Sequence, residues 1–416
     1  MKKYKAKQKK SLLTKILIIT GTALLVVVVA GVSTIFGLWG NEIVSICSIK
    51  KIDNADPSTN AGPVYEMNIS GGYYFDKFIE KGGASSDDQL IDFIVDNISK
   101  GILPISLKSP TIGCSSFTAI NEKGERLFGR NYDFSKTTSM IVHANPGNGR
   151  HKSISSVDLE FLGITDATEL TSIMQKALCL AAPYAPLDGI NDAGVSCGIY
   201  MSYQGDSNGT VVATDQDTSK PDLTSTTMLR LILDYADNVE EAISLVEQYD
   251  LHDSATTSFH YMVADKTGAS AIFEWVANDS KTDTDGSKRE LKIYRNDDDA
   301  ILGEKEEAND FQYITNFIVT PNYYTSDEEK KGLDRYDQIE SMINPDGTNT
   351  EGKITNEEAM NILKTVGRRN WNSLEGSQDS NSITVWSTLY NLTTLESTFV
   401  PNEKFDNPNS IFKYKL

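Results

Sequence analysis

Three short turns constrain this chain more than any other feature. Asn121-Glu122-Lys123-Gly124, Asn191-Asp192-Ala193-Gly194 and Asp265-Lys266-Thr267-Gly268 each stand between two apolar, strand-like runs. A glycine closing such a loop accepts the left-handed backbone that four- and five-residue hairpins need. Three hairpins of one design call for extended antiparallel sheet. Helical signals fall between and around them. Ser86-Asp87-Asp88-Gln89 reads as a capping box, with Leu90, Ile91, Ile94 and Ile98 following at helical spacing. Thr226 to Tyr249 carries Leu229, Ile232, Leu233, Ala236, Ala242, Ile243 and Val246 at the same spacing, and Asn356 to Val366 reads as a further helix. Ile383 to Tyr390 reads as a strand. Hairpins alternating with helices predict an α+β chain with helices packed on sheets.

At 416 residues, 39% of them hydrophobic and 23% charged, the chain is long enough for one large domain or two ordinary ones with a substantial core. The formal charge is −19, and the first fifteen residues hold seven lysines and no acid, leaving 32 basic against 58 acidic residues, a balance of −26. Such a surface repels nucleic acid, so no nucleic-acid partner is expected. Cys47, Cys114, Cys179 and Cys197 show no CxxC spacing, and His143, His151, His252 and His260 are scattered, which argues against a metal centre and a disulfide scaffold, although Cys47 and Cys179 remain free to pair. Asp283-Thr284-Asp285-Gly286 has the look of a calcium loop but carries Lys281 and Lys292 where acids are required, and reads as a solvated hairpin tip. No cofactor is implied.

After the basic start, residues 16–39 form an uncharged, largely apolar run of 24 residues. At about 1.5 Å per residue a helix of this length spans a bilayer core of roughly 30 Å. Lysines on its N-terminal side predict a single-pass membrane anchor with the rest of the chain outside the cell. A cleaved signal peptide is the alternative, Val28-Val29-Ala30 resembling a cleavage site. The division that follows is 1–40 as basic N-terminus and anchor, 41–113 as linker and pro-segment carrying the amphipathic helix, and 114–416 as the main domain.

Cys114 opens the first hairpin, directly after Gly113. A thiol is the most reactive side-chain nucleophile, and a preceding glycine lets another group approach the peptide bond closely. The plain alternative is a buried strand cysteine. Cys114 together with Phe128-Gly129-Arg130-Asn131-Tyr132-Asp133-Phe134 resembles the choloylglycine hydrolase group of linear amide hydrolases, which includes bile salt hydrolases and penicillin V acylases. The resemblance runs on in order through Asp188 to Gly194, Met262 to Gly268, Ile314-Thr315-Asn316-Phe317 and Asp334-Arg335-Tyr336.

The resemblance implies an N-terminal nucleophile hydrolase: a four-layer αββα sandwich of two antiparallel sheets flanked by helices, with Cys114 attacking the carbonyl of a small-molecule amide to form a thioester. It makes the freed α-amine of Cys114 the general base, at an ordinary pKa of about 7.7 to 8.0. It also makes Arg130 the cation beside the thiol, Asp133 the group that holds amine and cysteine, Asn191 and Asn316 oxyanion-hole positions, and Arg335 a further active-site arginine. Read as strand residues, Arg130 and Asp133 are three apart and fall on opposite faces, so they meet at one site only near a strand end or a bulge. Asn191 equally suits a plain turn.

Bile salt hydrolases carry the cysteine just after the initiator methionine, whereas 113 residues precede it here. A free amine at Cys114 therefore requires a cut at Gly113-Cys114, as in relatives with long pro-segments that cut themselves. The rival readings are an extracellular, membrane-anchored binding protein or pseudoenzyme that keeps the fold and is never cut, and a cysteine hydrolase pairing Cys114 with His260. The resemblance leaves the substrate open among bile salts, penicillin V, acyl homoserine lactones, other N-acyl amines and peptide-like amides, with residues 135–165 and 201–225 expected to flank the pocket.

Overall fold

The computed structural model describes residues 37–101, 113–165, 167–205, 211–277, 283–297, 310–368 and 382–416. Most of the apolar run expected to cross a membrane, 16–36, lies outside these. Among the described residues no helix is long and apolar enough to cross one.

Each of the three turns closes a hairpin. Asn121 Oδ1 accepts from the amides of Lys123 and Glu125, Asn191 Oδ1 from Ala193 and Val195, and Asp265 Oδ1 from Thr267. Gly124, Gly194 and Gly268 take φ values of 79°, 86° and 99°. A side-chain oxygen folding the turn and a left-handed glycine ending it are one device used three times.

The strands form two large sheets and a small pair. The larger is built from β1 (Lys50–Asp53), β2 (Val64–Ser70), β5 (Ser139–Asn145), β6 (Ser153–Asp158), β7 (Asp188–Asn191), β8 (Val195–Met201), β11 (Phe259–Asp265), β12 (Ser270–Val276) and β13 (Glu290–Arg295), in that spatial order. All neighbours are antiparallel except β2 and β5, which run parallel. The smaller sheet runs β14 (Tyr313–Ile314), β3 (Gly113–Ile120), β4 (Arg126–Phe134), β15 (Ile383–Asn391), β16 (Glu396–Pro401) and β17 (Phe412–Lys415), antiparallel throughout. A parallel pair, β9 (Asp222–Thr224) and β10 (Asp250–His252), stands apart.

Helices cover one face of each sheet. α1 occupies residues 37–48, followed by α2 (Phe75–Glu80), α3 (Asp87–Ile94), α4 (Ile173–Leu178), α5 (Ser225–Tyr235), α6 (Val239–Val246), α7 (Leu333–Ile343) and α8 (Asn356–Thr365). α5 and α6 pack on β7, β8 and β11, while α7 and α8 pack on β14, β3, β4 and β15. The other faces of the two sheets meet: Tyr132 of β4 donates to Asp158 at the end of β6 (2.9 Å), and Arg130 donates to the Ile199 carbonyl of β8 (2.7 Å). The single helix expected over 226–249 is broken, because Ala236 turns extended and Asn238 caps a new helix through the Glu241 amide.

The segment before Cys114 is woven into this frame. Residues 41–72 read as a linker, yet β2 pairs with β5 along its whole length. Residues 135–165 supply β5 and β6 rather than loops alone. The tip expected at 283–286 is solvated at Thr284 but not at Asp283, whose buried carboxylate meets Arg289 Nε (3.1 Å) and the Tyr323 hydroxyl (2.5 Å), the pair offering what solvent otherwise would.

Candidate active site

Cys114 is the second residue of β3 and is wholly buried. Its cross-strand partner is Tyr132, so its side chain shares the inner face of β4 with Arg130 and Tyr132, between the sheets. There the Arg130 guanidinium lies 4.3 Å above the Tyr200 ring, gives one nitrogen to the Ile199 carbonyl and stands 3.5 Å from the Asp188 carboxylate. Burial pushes the Cys114 thiol above its ordinary pKa, and the Arg130 charge pulls the other way. Burial works against the Arg130 cation as well, but the pull of Cys114, Tyr200 and Asp188 outweighs it and keeps the guanidinium charged.

The backbone of Cys114 is gripped from the other side. Its amide donates to Asn316 Oδ1 (2.9 Å), and its carbonyl accepts from Arg335 Nη1 (2.9 Å). Arg335 also donates to Asp133 Oδ2 (3.2 Å) and Asn316 Oδ1 (2.8 Å), and the Thr384 hydroxyl donates to the second Asp133 oxygen (2.7 Å). Arg130 and Asp133 do lie on opposite faces of β4, and both reach Cys114 because one meets its side chain while the other is tied to its backbone. Asp133 stands next to the end of β4, where β15 carries an extra residue between Thr384 and Trp386. The glycine before the cysteine is explained at the same spot. A Cβ at position 113 would come within 3.2 Å of Asp133 Cβ and 3.3 Å of its Oδ2.

Five of the six residues named from the sequence therefore converge: Cys114, Arg130, Asp133, Asn316 and Arg335. Asn191 does not join them. Its oxygen folds the second hairpin turn and its Nδ2 donates to the Ala236 carbonyl (2.8 Å), so every polar atom of the side chain is committed to the turn and to the break between α5 and α6. His260 is also placed apart from the thiol, its ring nitrogens meeting Glu274 Oε1 (2.8 Å) and the Thr315 carbonyl (3.0 Å).

Two side chains in the cluster were not singled out from the sequence. Tyr200 lies under Arg130 and donates to Ser116 Oγ (2.5 Å). Asp188 faces Arg130 and accepts from Trp386 Nε1 (2.8 Å) and the Tyr390 hydroxyl (2.5 Å). The parity of β8 was a usable signal for Tyr200, since it shares a face with Gly198, whose missing Cβ leaves room for the Tyr200 hydroxyl and Arg130. Among the described residues no group of three His, Cys, Asp or Glu side chains is placed to hold a metal ion. All four thiols are free, so no Cys47–Cys179 bond is formed.

Residues 114–298 match the family model described as linear amide C-N hydrolases, choloylglycine hydrolase family. Over this stretch, less than half of its length, the chain is similar to that family. The match opens at Cys114 and takes in Arg130, Asp133 and Tyr200, while Asn316 and Arg335 lie beyond it. Among solved structures the chain is similar to a conjugated bile acid hydrolase from Clostridium perfringens, at 15% identity and a TM-score of 0.46, over 73% of this chain and 92% of the other. It is also similar to a penicillin V acylase from Agrobacterium tumefaciens, at 15% identity and a TM-score of 0.40, over 69% and 83% of the two chains. Curated proteins give no match. The cluster around Cys114, three of whose five sequence-predicted residues lie in the matched stretch, is the candidate active centre.

Proposed function

We propose that this protein hydrolyses the linear C–N bond of an N-acyl amide with Cys114 as nucleophile, after the chain has cut itself at Gly113-Cys114. The observation that carries this reading is the double grip on one residue, thiol beside Arg130 and backbone amide on Asn316. A cut there leaves the α-amine where the Cys114 amide now stands, 2.9 Å from Asn316 Oδ1. That amine is attached to the residue that bears the thiol, which is the arrangement a proton relay between them needs.

The first reaction acts on the chain itself. Cys114 Sγ adds to the Gly113 carbonyl carbon, the C–N bond breaks as the nitrogen takes up a proton, and the acyl group passes to sulfur. Water then hydrolyses the thioester, giving a Gly113 carboxylate and a free Cys114 with its thiol and amine. In turnover the thiolate adds to the substrate carbonyl, its proton having passed to the amine, and that proton follows to the leaving amine as the C–N bond breaks. Water cleaves the thioester in the second half. Arg130 opposes the cost of forming thiolate in a buried site, and Arg335 holds the Cys114 carbonyl and Asp133 in one plane of hydrogen bonds. Asn316 is the remaining candidate for an oxyanion donor; its Nδ2 is engaged by the Met201 carbonyl (2.9 Å) in the uncut chain.

We further place the catalytic part outside the cell on a single-pass anchor, on the strength of the apolar run 16–39 behind a lysine-rich start. The deciding experiment is the intact mass and N-terminal sequence of the purified chain beside Cys114→Ala. A new N-terminus at Cys114, lost in the variant, is expected. A wild-type chain that stays whole and turns over no amide overturns the proposal in favour of a binding protein built on the same fold.

A further inference from the structure

Asn316 holds the Cys114 amide from just past the two-residue strand β14, where its backbone is met by an isolated parallel bridge, the Tyr203 amide donating to the Asn316 carbonyl (2.9 Å). The peptide on both sides of it also meets one buried pair, His260 of β11 and Glu274 of β12, each 1% exposed, alongside the Tyr324 hydroxyl that accepts from the Ile318 amide. His260 Nε2 meets the carbonyl of Thr315, the residue before Asn316 (3.0 Å). Glu274 accepts from the amides of Val319 (2.8 Å) and Thr320 (3.0 Å) and from the Thr320 hydroxyl (2.8 Å), and meets His260 Nδ1 (2.8 Å). The Thr315 carbonyl only accepts, so His260 Nε2 donates to it while Nδ1 faces the Glu274 carboxyl group.

We propose that the His260–Glu274 pair is a positioning unit that sets Asn316 against Cys114, acting on the reaction without touching substrate. The pair stands one step beyond the paired residues Tyr261 and Phe273 of these neighbouring strands, so the sheet constrains its separation. Through Thr315 on one side and Val319–Thr320 on the other, that rigid spacing is passed to the segment between. The inference rests on the amide-hydrolase reading above for its consequence in turnover, and on geometry alone for its consequence in structure.

The test uses His260→Gln, which keeps one N–H for Thr315 and the bulk of the ring, beside His260→Ala. Hydrogen exchange is read at residue 114 and at 315–320 in the uncut Cys114→Ala chain. Self-cleavage rate, kcat and KM are read in the cleavable chain with penicillin V, a glycine-conjugated bile salt and an N-acyl homoserine lactone as probes. Exchange at residue 114 is expected to speed up in both variants while the 188–201 hairpin keeps its protection. Displacing a positioned group by about an ångström costs on the order of a hundredfold, so cleavage and kcat are expected to fall by roughly ten- to a hundredfold with KM nearly unchanged. Unchanged exchange at residue 114 in a folded His260→Gln chain overturns the proposal, as does a raised KM with kcat intact. A wild type that neither cuts nor turns over refutes the functional reading alone, and the exchange result still decides the positioning role. If His260→Ala does not fold, His260→Gln carries the decision.

Discussion

At the scale of single residues, Arg130 carries the electrostatic load of the site. Its guanidinium is fully buried between Cys114, Asp188 and the Tyr200 ring, so its charge acts with little screening. Arg130→Gln is expected to lower self-cleavage and turnover by roughly a hundredfold, in the range of losing one fixed stabilising group, while a thiol-alkylation profile shifts to higher pH. Asp158 gives a stability prediction of a definite sign. Burial, against the donors Thr137, Glu160 and Tyr132, pushes its carboxyl up to about 7. Its folded pKa is thus raised above the unfolded value, the folded state binds the proton more tightly, and that contribution is fully present at low pH and lost as pH rises through about 7. Denaturant titrations at pH 4.5, 6 and 7.5 should show wild-type stability declining over this window relative to Asp158→Asn; parallel curves for the two would contradict it.

At the scale of elements, the anchoring of the N-terminal segment is the informative case. Beyond the amphipathic helix α3, β2 and the residues after it tie this segment to the rest of the chain. Tyr73 donates to both oxygens of the buried Asp234 (2.6 and 2.7 Å), Arg150 bridges Asp234 (2.9 Å) and the Gly72 carbonyl (2.9 Å), and Tyr184 donates to the Tyr73 carbonyl (2.7 Å). Tyr73→Phe strips a donor from a buried carboxylate and is expected to destabilise the protein by about 1–3 kcal/mol, read from chemical denaturation. Hairpins, capped helices and the strand at 383–391 were legible because each is written in neighbouring residues. The pairing of β2 with β5 was not, since a parallel partner more than seventy residues away leaves no local mark. The same divide runs through the site: motifs pointed to Cys114, Arg130, Asp133, Asn316 and Arg335, while Tyr200 and Asp188, signalled at most by strand parity and by the start of a motif, take their roles from two sheets meeting. Asn191 shows the reverse case, a motif residue whose side chain is engaged in local turn chemistry.

At the scale of the whole molecule, the bond proposed for cutting lies between parts that share one core. If the chain is cut after Gly113, β1 and β2 remain strands of the larger sheet, and Phe75 and Phe78 remain edge-to-face with Tyr184. The two pieces are then expected to co-elute in high salt and to part only in denaturant. Cutting also changes what unfolding means. The intact chain finds β2 as a tethered neighbour, whereas a cut one must recapture it from solution at a rate set by concentration. Thermal scans of the uncut Cys114→Ala protein should retrace on cooling, and scans of the cut protein should show hysteresis that deepens on dilution. Equal recovery for both would mean that the N-terminal strands dock as readily free as tethered. A protein made this way has a direction in time: it folds once as a single chain, and the act that would switch it on also erases the route by which it was folded.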